Sequence, residues 1–310
     1  MKIVIAGATG MVGTALVEAL KKDHILVLLG RDTIKLKQRF PDHTAIDWQA
    51  FSALHNPLDE IDIVINLAGE NIGDGRWTTS RKKVILSSRV TATRTLATAC
   101  AHSANKNIRL LNASAIGVYG SVGEPGKIYD EHSALPTPPP DFLSTVGLAW
   151  EQGLAPAEQT GISVVKMRFG VVLSKNGGAL AKMLPAFKWG LGGPIGSGQQ
   201  PFSWISLHDL IRAITWLIEH PEITGPVNIV APEVVTQRQF AKNLGKVLHR
   251  PAFFPLPTAM VKLQFGQMGQ ELLLNGVAVR SSVLIEQGFG FSYPTLEGAL
   301  NSLFAKGNTT

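Results

Sequence analysis

Apolar residues along this chain alternate between short continuous runs and longer stretches with helical spacing. Ile3-Val4-Ile5-Ala6, Ile25-Leu26-Val27-Leu28-Leu29, Ile61-Asp62-Ile63-Val64-Ile65-Asn66-Leu67, Arg109-Leu110-Leu111-Asn112-Ala113-Ser114 and Ile162-Ser163-Val164-Val165-Lys166-Met167-Arg168 read as strands. Runs that are apolar at most positions suit strands covered on both faces. A short strand ending near Ala45-Ile46-Asp47 and another at Val227–Val230 extend the series. The spacing predicts helices over Thr14–Lys22, Thr79–His102, Leu148–Thr160, Leu207–Glu219, Gln239–Leu248 and Leu296–Phe304. Strand followed by helix, repeated, implies right-handed crossovers and a doubly wound parallel sheet of the α/β class.

Two segments interrupt this regularity. Pro136-Thr137-Pro138-Pro139-Pro140 cannot enter a helix or sheet interior and reads as a stiff surface loop. Gly190, Gly192, Gly193, Pro194, Gly196 and Gly198 crowd one short stretch, a loop from which a substrate lobe can begin. The expected division is a nucleotide-binding domain at 1–173 plus 205–232, with a smaller lobe at 174–204 plus 233–310. With 310 residues, 45% of them hydrophobic, the chain can bury a large core.

The first strand runs straight into Gly7-x-x-Gly10-x-x-Gly13 and then a helical pattern. Strand, tight glycine turn and helix in that order build a pyrophosphate site. Gly7 permits the turn, Gly10 lets the backbone approach phosphates, and Gly13 lets helix and strand pack closely. Thr9, Met11 and Val12 complete the cradle, where the helix N-terminus offers free N–H groups and a positive dipole end. Arg31 follows the second strand, where an acid would bind the ribose 2′-hydroxyl of NAD(H). A guanidinium there suits the 2′-phosphate of NADP(H) instead, with Lys35 as a helper, while Asp32 keeps NAD(H) as the lesser alternative. Asp47 is placed either to accept from the adenine amino group or to cap a helix. Leu67-Ala68-Gly69, a small turn after the fourth strand, faces the same cofactor, and Glu70 beside it can touch substrate.

The charge balance narrows the partners. A formal charge of +6 with no Lys/Arg run longer than Arg81-Lys82-Lys83 argues against nucleic acid, and an anionic cofactor accounts for part of the excess. No apolar run reaches spanning length, so no membrane partner is expected. One cysteine, Cys100, sits in a helical pattern as a buried thiol; a disulfide framework and a thiol metal cluster are both excluded, and no metal is expected. The expectation is a soluble, cytoplasmic monomer or homodimer acting on a small molecule.

Beyond the glycine turn, Asn66-Leu67-Ala68-Gly69-Glu70, Arg76-Trp77, Ser88-Arg89 and Ser114-Ala115-x-Gly117-x-Tyr119-Gly120 form a recognisable set. With Trp150-Glu151, Arg168-Phe169-Gly170, Gly177-Gly178-Ala179-Leu180, Gly196-x-Gly198-Gln199-x-x-x-Ser203-Trp204-Ile205 and Gly288-Phe289-x-Phe291, the chain resembles the extended short-chain dehydrogenase/reductases over nearly its whole length. More narrowly, it resembles their atypical branch called epimerase family proteins, NAD-dependent epimerase/dehydratase-like, some labelled cell-division inhibitor-like. The resemblance implies a Rossmann fold, NADP(H) and a C-terminal substrate lobe particular to that branch.

The same resemblance implies a departure. Typical members carry Ser or Thr in the strand before Tyr-Gly, then Tyr-x-x-x-Lys ahead of a helical Glu. Here Ala115, Leu143 and Gly147 stand at those places. Leucine has no titratable proton and glycine no ammonium, so the usual proton exchange during hydride transfer has no carrier there. Ser114, Arg89 and Tyr119 are the candidate catalytic substitutes, each with a structural reading beside it. Arg168 and Trp204 are candidate substrate contacts that can equally tie or pack the lobes. Relatives often read Trp-Ile-His where Ser206 stands, so a histidine role does not transfer to His208. Asp209 is expected to cap or brace the helix it opens. Two functions follow: an NADP(H)-dependent oxidoreductase or epimerase-like enzyme, or a non-catalytic NADP(H)-binding sensor or scaffold.

Overall fold

The computed structural model describes residues 1–305; the last five residues of the expected C-terminal lobe, 306–310, lie outside them. Seven strands form the main sheet: β1 (Lys2–Ala6), β2 (Ile25–Gly30), β3 (Thr44–Asp47), β4 (Ile63–Asn66), β5 (Arg109–Ala115), β6 (Ser163–Phe169) and β7 (Gly225–Ile229). All pairs are parallel and the order is β7-β6-β5-β4-β1-β2-β3. The direction of winding reverses between β1 and β4. An open sheet of this kind leaves a crevice at the carboxyl ends of those two strands.

Helices cover both faces: α1 (Met11–Leu20), α2 (Thr33–Arg39), α3 (Trp48–Ala53), α4 (Thr79–His102), α5 (Phe142–Gln152), α6 (Ala155–Gln159), α7 (Gly178–Lys188) and α8 (Leu207–Glu219). Then come α9 (Gln237–Val247), α10 (Thr258–Phe265), α11 (Ser282–Glu286) and α12 (Leu296–Phe304). Alternate residues of the central strands feed two cores. Ile3 and Ile5 join one that runs to Trp204, Phe240 and Leu300, while Val4 and Ala6 join another with Leu96, Cys100 and Leu154. Burial pushes the Cys100 thiol up to about 12, so it stays protonated and inert.

The helix expected over Leu148–Thr160 is really two. It starts six residues earlier, at Phe142, because Asp141 and Ser144 form a reciprocal capping box. It breaks after Gln152, and the short α6 follows with a proline in its first turn. The glycine-rich stretch 190–198 is ordered against the chain after α9. Gly196 N donates to Leu256 O at 2.9 Å and Leu256 N to Pro194 O at 2.8 Å.

Asp209 braces more than its own helix. Its fully buried carboxylate accepts from Ser292 N at 2.9 Å and Tyr293 N at 2.8 Å, and pairs with Arg212 at 3.1 Å. Ser206, one turn earlier, is the actual N-cap.

The Asp141 cap yields a stability prediction. Burial alone would raise its pKa, but hydrogen bonds from Ser144 and Ser121 outweigh that and hold it below the usual carboxylate range. A lowered folded-state pKa contributes stability that is complete above the unfolded value and lost as pH falls through the folded one. Asp141→Ala is therefore expected to cost about 1 kcal/mol near neutrality and to flatten the acid limb of stability, measured by urea unfolding from pH 7 downwards.

Candidate cofactor cleft

At the switch between β1 and β4, two turns touch through backbone alone. Gly7 adopts φ +85°, and a Cβ placed there would lie 2.7 Å from the carbonyl carbon and oxygen of Leu67. A Cβ at Gly13 would lie 2.2 Å from Gly7 O. These two glycines are therefore required by the protein's own packing. Gly10 is different: its φ is −72°, open to any residue, and its Cβ would meet only Gly7 O, at 3.4 Å. Nothing in the fold demands glycine there. Thr9 and Gly10 are exposed, Met11 and Val12 half-buried, and their backbone opens α1 toward the crevice.

The facing turn is shaped from below by a buried amide. Asn66 Oδ1 accepts from Ala68 N at 3.1 Å, while Asn66 Nδ2 donates to Thr93 Oγ1 at 3.0 Å and Asn112 Oδ1 at 2.6 Å. Trp150 Nε1 donates to Thr93 Oγ1 at 2.9 Å, so α4, α5 and β5 together fix the shape of Leu67-Ala68-Gly69. Ser88 and Arg89 of α4 hold the next residue: Glu70 N donates to Ser88 Oγ, and Arg89 Nη1 donates to Glu70 O at 2.9 Å. Burial lowers the Arg89 guanidinium to about 10, still well above neutral pH, and it stacks over the Trp150 ring. Arg89 thus sits charged directly beneath Gly69, where an added Cβ would press on it at 3.2 Å.

Arg31 reaches the edge of this cleft with its side chain 84% exposed, touching Glu70 at 3.4 Å. Glu70 is shared with Arg81, at 3.0 Å. Asp32 is occupied as the cap of α2, accepting from Lys35 N at 3.0 Å, and Asp47 caps α3 through Ala50 N at 2.8 Å. Neither carboxylate is wholly free to meet a ligand.

The segment just before α7 comes close to the first residue of α1. At Gly177, just before α7, a Cβ would fall 2.9 Å from Met11 Sδ. Lys182 of α7 holds the loop after Glu70, donating to Gly73 O at 2.7 Å and pairing with Asp74 at 2.5 Å. These contacts had no signal in the sequence beyond the glycine pair itself.

Four of the nominated site residues, Ser114, Tyr119, Arg168 and Trp204, lie in the interior. Ser114 Oγ donates to Glu151 Oε1 at 2.8 Å; Glu151 forms a two-pronged pair with Arg168, each bond 2.8 Å. Arg168 Nη1 donates to Tyr119 Oη at 2.9 Å, and that hydroxyl also lies 2.8 Å from Asp130 O and 2.9 Å from Asn228 Oδ1. All of Ser114, Tyr119, Glu151, Arg168 and Asn228 are buried. Desolvation raises the Tyr119 phenol despite the neighbouring guanidinium. Trp204 is wholly buried in the larger core, and its Nε1–H finds no acceptor among the described residues.

Leu143 and Gly147 sit where α5 crosses the turn at 116–119. A Cβ on Gly147 would stand 3.0 Å from Val118 Cα, and one on Gly117 would stand 3.2 Å from Leu143 Cβ. Glu271, which the sequence left unmarked, meets the start of α5 from the chain beyond α10, accepting from Leu143 N at 3.0 Å and Gln267 Nε2 at 2.6 Å.

Residues 3–230 match the family described as NAD dependent epimerase/dehydratase, and residues 256–303 match a domain of unknown function, DUF1731. This chain belongs to the NAD-dependent epimerase/dehydratase family. Epimerase family proteins of Mycobacterium bovis (Mb2239) and Bacillus subtilis (YfhF) are each 37% identical to it. The first is matched over 96% of both chains and the second over the whole of both. A human epimerase family protein, SDR39U1, solved with NADPH, is 34% identical, with a TM-score of 0.89 over 99% of this chain and all of that one. The Rossmann arrangement and the separate C-terminal segment of this epimerase-family chain agree with the expectation from its motifs.

Breaking the interior pair should cost far more than trimming its edge. Arg168→Leu leaves Glu151 buried and uncompensated, an expected loss of about 3–5 kcal/mol. Ser114→Ala removes one hydrogen bond, about 1–2 kcal/mol. Chemical denaturation of both variants measures the contrast; equal losses would mean the pair is not buried as described.

Proposed function

We propose that this protein binds NADP(H) across the ends of β1, β2 and β4 and uses it for oxidoreductase or epimerase-like chemistry on a small molecule held beneath the smaller lobe. The observation that carries the reading is Gly10: glycine at a position where neither backbone angle nor internal packing needs it. A group from outside must come within Cβ distance, and a pyrophosphate on the α1 N-terminus meets that description. When bound, the cofactor supplies or accepts a hydride at nicotinamide C4.

The residues around that site then have distinct tasks. Backbone N–H groups at Thr9–Val12 hold the diphosphate. Arg31, tied to Glu70 only by a long and exposed contact, turns to the 2′-phosphate, whereas Asp32 stays on its helix cap. That commitment of Asp32 favours NADP(H) over NAD(H). Leu67-Ala68-Gly69 lies against the cofactor's middle, and Arg89 beneath it supplies a fixed positive charge. The NADPH-bound human relative, at 34% identity, supports the same choice. Residues 174–204 plus 233–305, as the substrate lobe, close the site through Gly177, Lys182 and Glu271.

The reaction cannot run on a Ser-Tyr-Lys set, since Ala115, Leu143 and Gly147 occupy those places. Ser114 and Tyr119 act as positioning residues through Glu151 and Arg168 rather than at the reacting atoms. A second reading, a non-catalytic NADP(H) sensor or scaffold, is favoured by that same burial, which leaves Arg89 alone of the nominated catalytic residues near the cleft.

Calorimetry and turnover separate these statements. Arg31→Asp is expected to weaken NADPH roughly tenfold to a hundredfold while leaving NADH unchanged, the worth of one charge-assisted phosphate contact. An unaltered NADPH preference would overturn the cofactor assignment. Gly10→Ala should keep the melting temperature within a few degrees yet abolish most NADPH affinity, whereas Gly13→Ala should lose stability first. Oxidation of NADPH by any member of a carbonyl panel favours the enzyme. Strong thermal stabilisation by NADPH without turnover favours the sensor.

A further inference from the structure

The chain's positive charge is concentrated in its smaller lobe. From Val171 to His208 and from Val234 to Gln270 there is no aspartate or glutamate, and the two stretches hold eight Lys and Arg. That exceeds the formal +6 of the whole chain, so the remainder is net acidic. Two of these lysines, Lys182 with Asp74 and Lys246 with Glu297, borrow their acids from elsewhere in the chain. Among the described residues, Lys188, Arg250 and Lys262 pair with no carboxylate, and all three are exposed.

On the same lobe lies a run of uncovered apolar side chains. Trp189 is 83% exposed and Leu191 65%, in the segment after α7; Phe253 is 68% exposed and Leu263, on α10, 79%. The pieces are physically joined. Phe254 N donates to Gly192 O at 3.2 Å, Arg250 Nε to Lys188 O at 3.0 Å, and α10 begins four residues beyond Phe254. Met260 and Leu263 stand one turn apart on the exposed side of α10, whose only buried residue is Val261. Trp189, Leu191, Phe253, Met260 and Leu263 thus project into water from segments that carry Lys188, Arg250 and Lys262 and no acid, a surface that a monomer rarely leaves bare.

We infer that this face docks on an anionic phospholipid surface, with Trp189, Phe253 and Leu263 entering the headgroup boundary and Lys188, Arg250 and Lys262 meeting the phosphates. Charge complementarity decides the occupant. A second copy would bring the same cations against these, whereas an anionic lipid layer offers apolar depth and negative charge together. Tryptophan suits that boundary because its ring is apolar and its N–H polar. No helix among the described residues is long and apolar enough to cross a membrane. The expectation of no membrane partner, drawn from the lack of a spanning run, is therefore narrowed: the contact is peripheral. This inference stands apart from the cofactor reading, because none of these residues is assigned to the cleft.

The test is co-sedimentation of the full chain with phosphatidylcholine vesicles, with and without phosphatidylglycerol. Binding is expected only to the anionic vesicles, weakening as salt is raised. Reversing two charges, Lys188→Glu with Lys262→Glu, should lower affinity by about tenfold or more. The apolar pair Trp189→Ser with Leu263→Ser should lower it comparably, with melting temperature and NADPH binding unchanged in both. Absence of binding to anionic vesicles, or binding that survives both double variants, overturns the proposal. So does self-association in sedimentation velocity that depends on Trp189 and Leu263 without vesicle binding, which would assign the face to a second copy.

Discussion

The open end of the sheet depends on the bare backbone contact between the turn after β1 and the turn after β4. The winding reverses there, so two adjacent strands send their chains to opposite faces and leave a gap between them. For that gap to be narrow, Gly7 must carry no side chain against Leu67, and Gly13 none against Gly7. Gly10 is the complement of this pair, its freedom directed outward. The same three residues thus separate into two that the fold requires and one that it does not.

Behind the cleft the structure spends much of its polarity on rigidity. Asn66, Thr93, Asn112 and Trp150 fix one turn; Ser114, Glu151, Arg168, Tyr119 and Asn228 lock β5, β6, β7 and α5 together. Buried and fully partnered networks of this kind hold one arrangement strongly, because any single loss leaves a charge or dipole without water.

Most of the fold was legible from pattern alone. The limits of the long helix Thr79–His102, of Leu207–Glu219 and of Leu296–Phe304 were readable from spacing, and the structure shows Thr78, Ser206 and Thr295 as their caps. The start of α5 was missed because Ser144, Thr145 and Gly147 are poor helix formers, and the Asp141 cap outweighs them only with Ser144 answering it. In the site, glycine spacing and Arg31 could be read because their chemistry is local. The fates of Ser114 and Tyr119 could not. Their partners lie 37 and 109 residues away, and only the assembled sheet brings Glu151 and Asn228 to them.

Asp209 has a bearing on how this molecule can be taken apart. Its carboxylate lies in the first turn of α8, yet beside Arg212 its hydrogen-bond donors are Ser292 N and Tyr293 N near the far end of the chain. A carboxyl group in the first turn of a helix, with no solvent access, depends on the hydrogen-bond donors that face it. The carboxyl-terminal segment is therefore a structural counterpart of α8 rather than an optional appendage. A shortened chain ending after β7 would leave that carboxylate with Arg212 but without its two backbone donors, so the two matched segments are built to persist or fail as one unit.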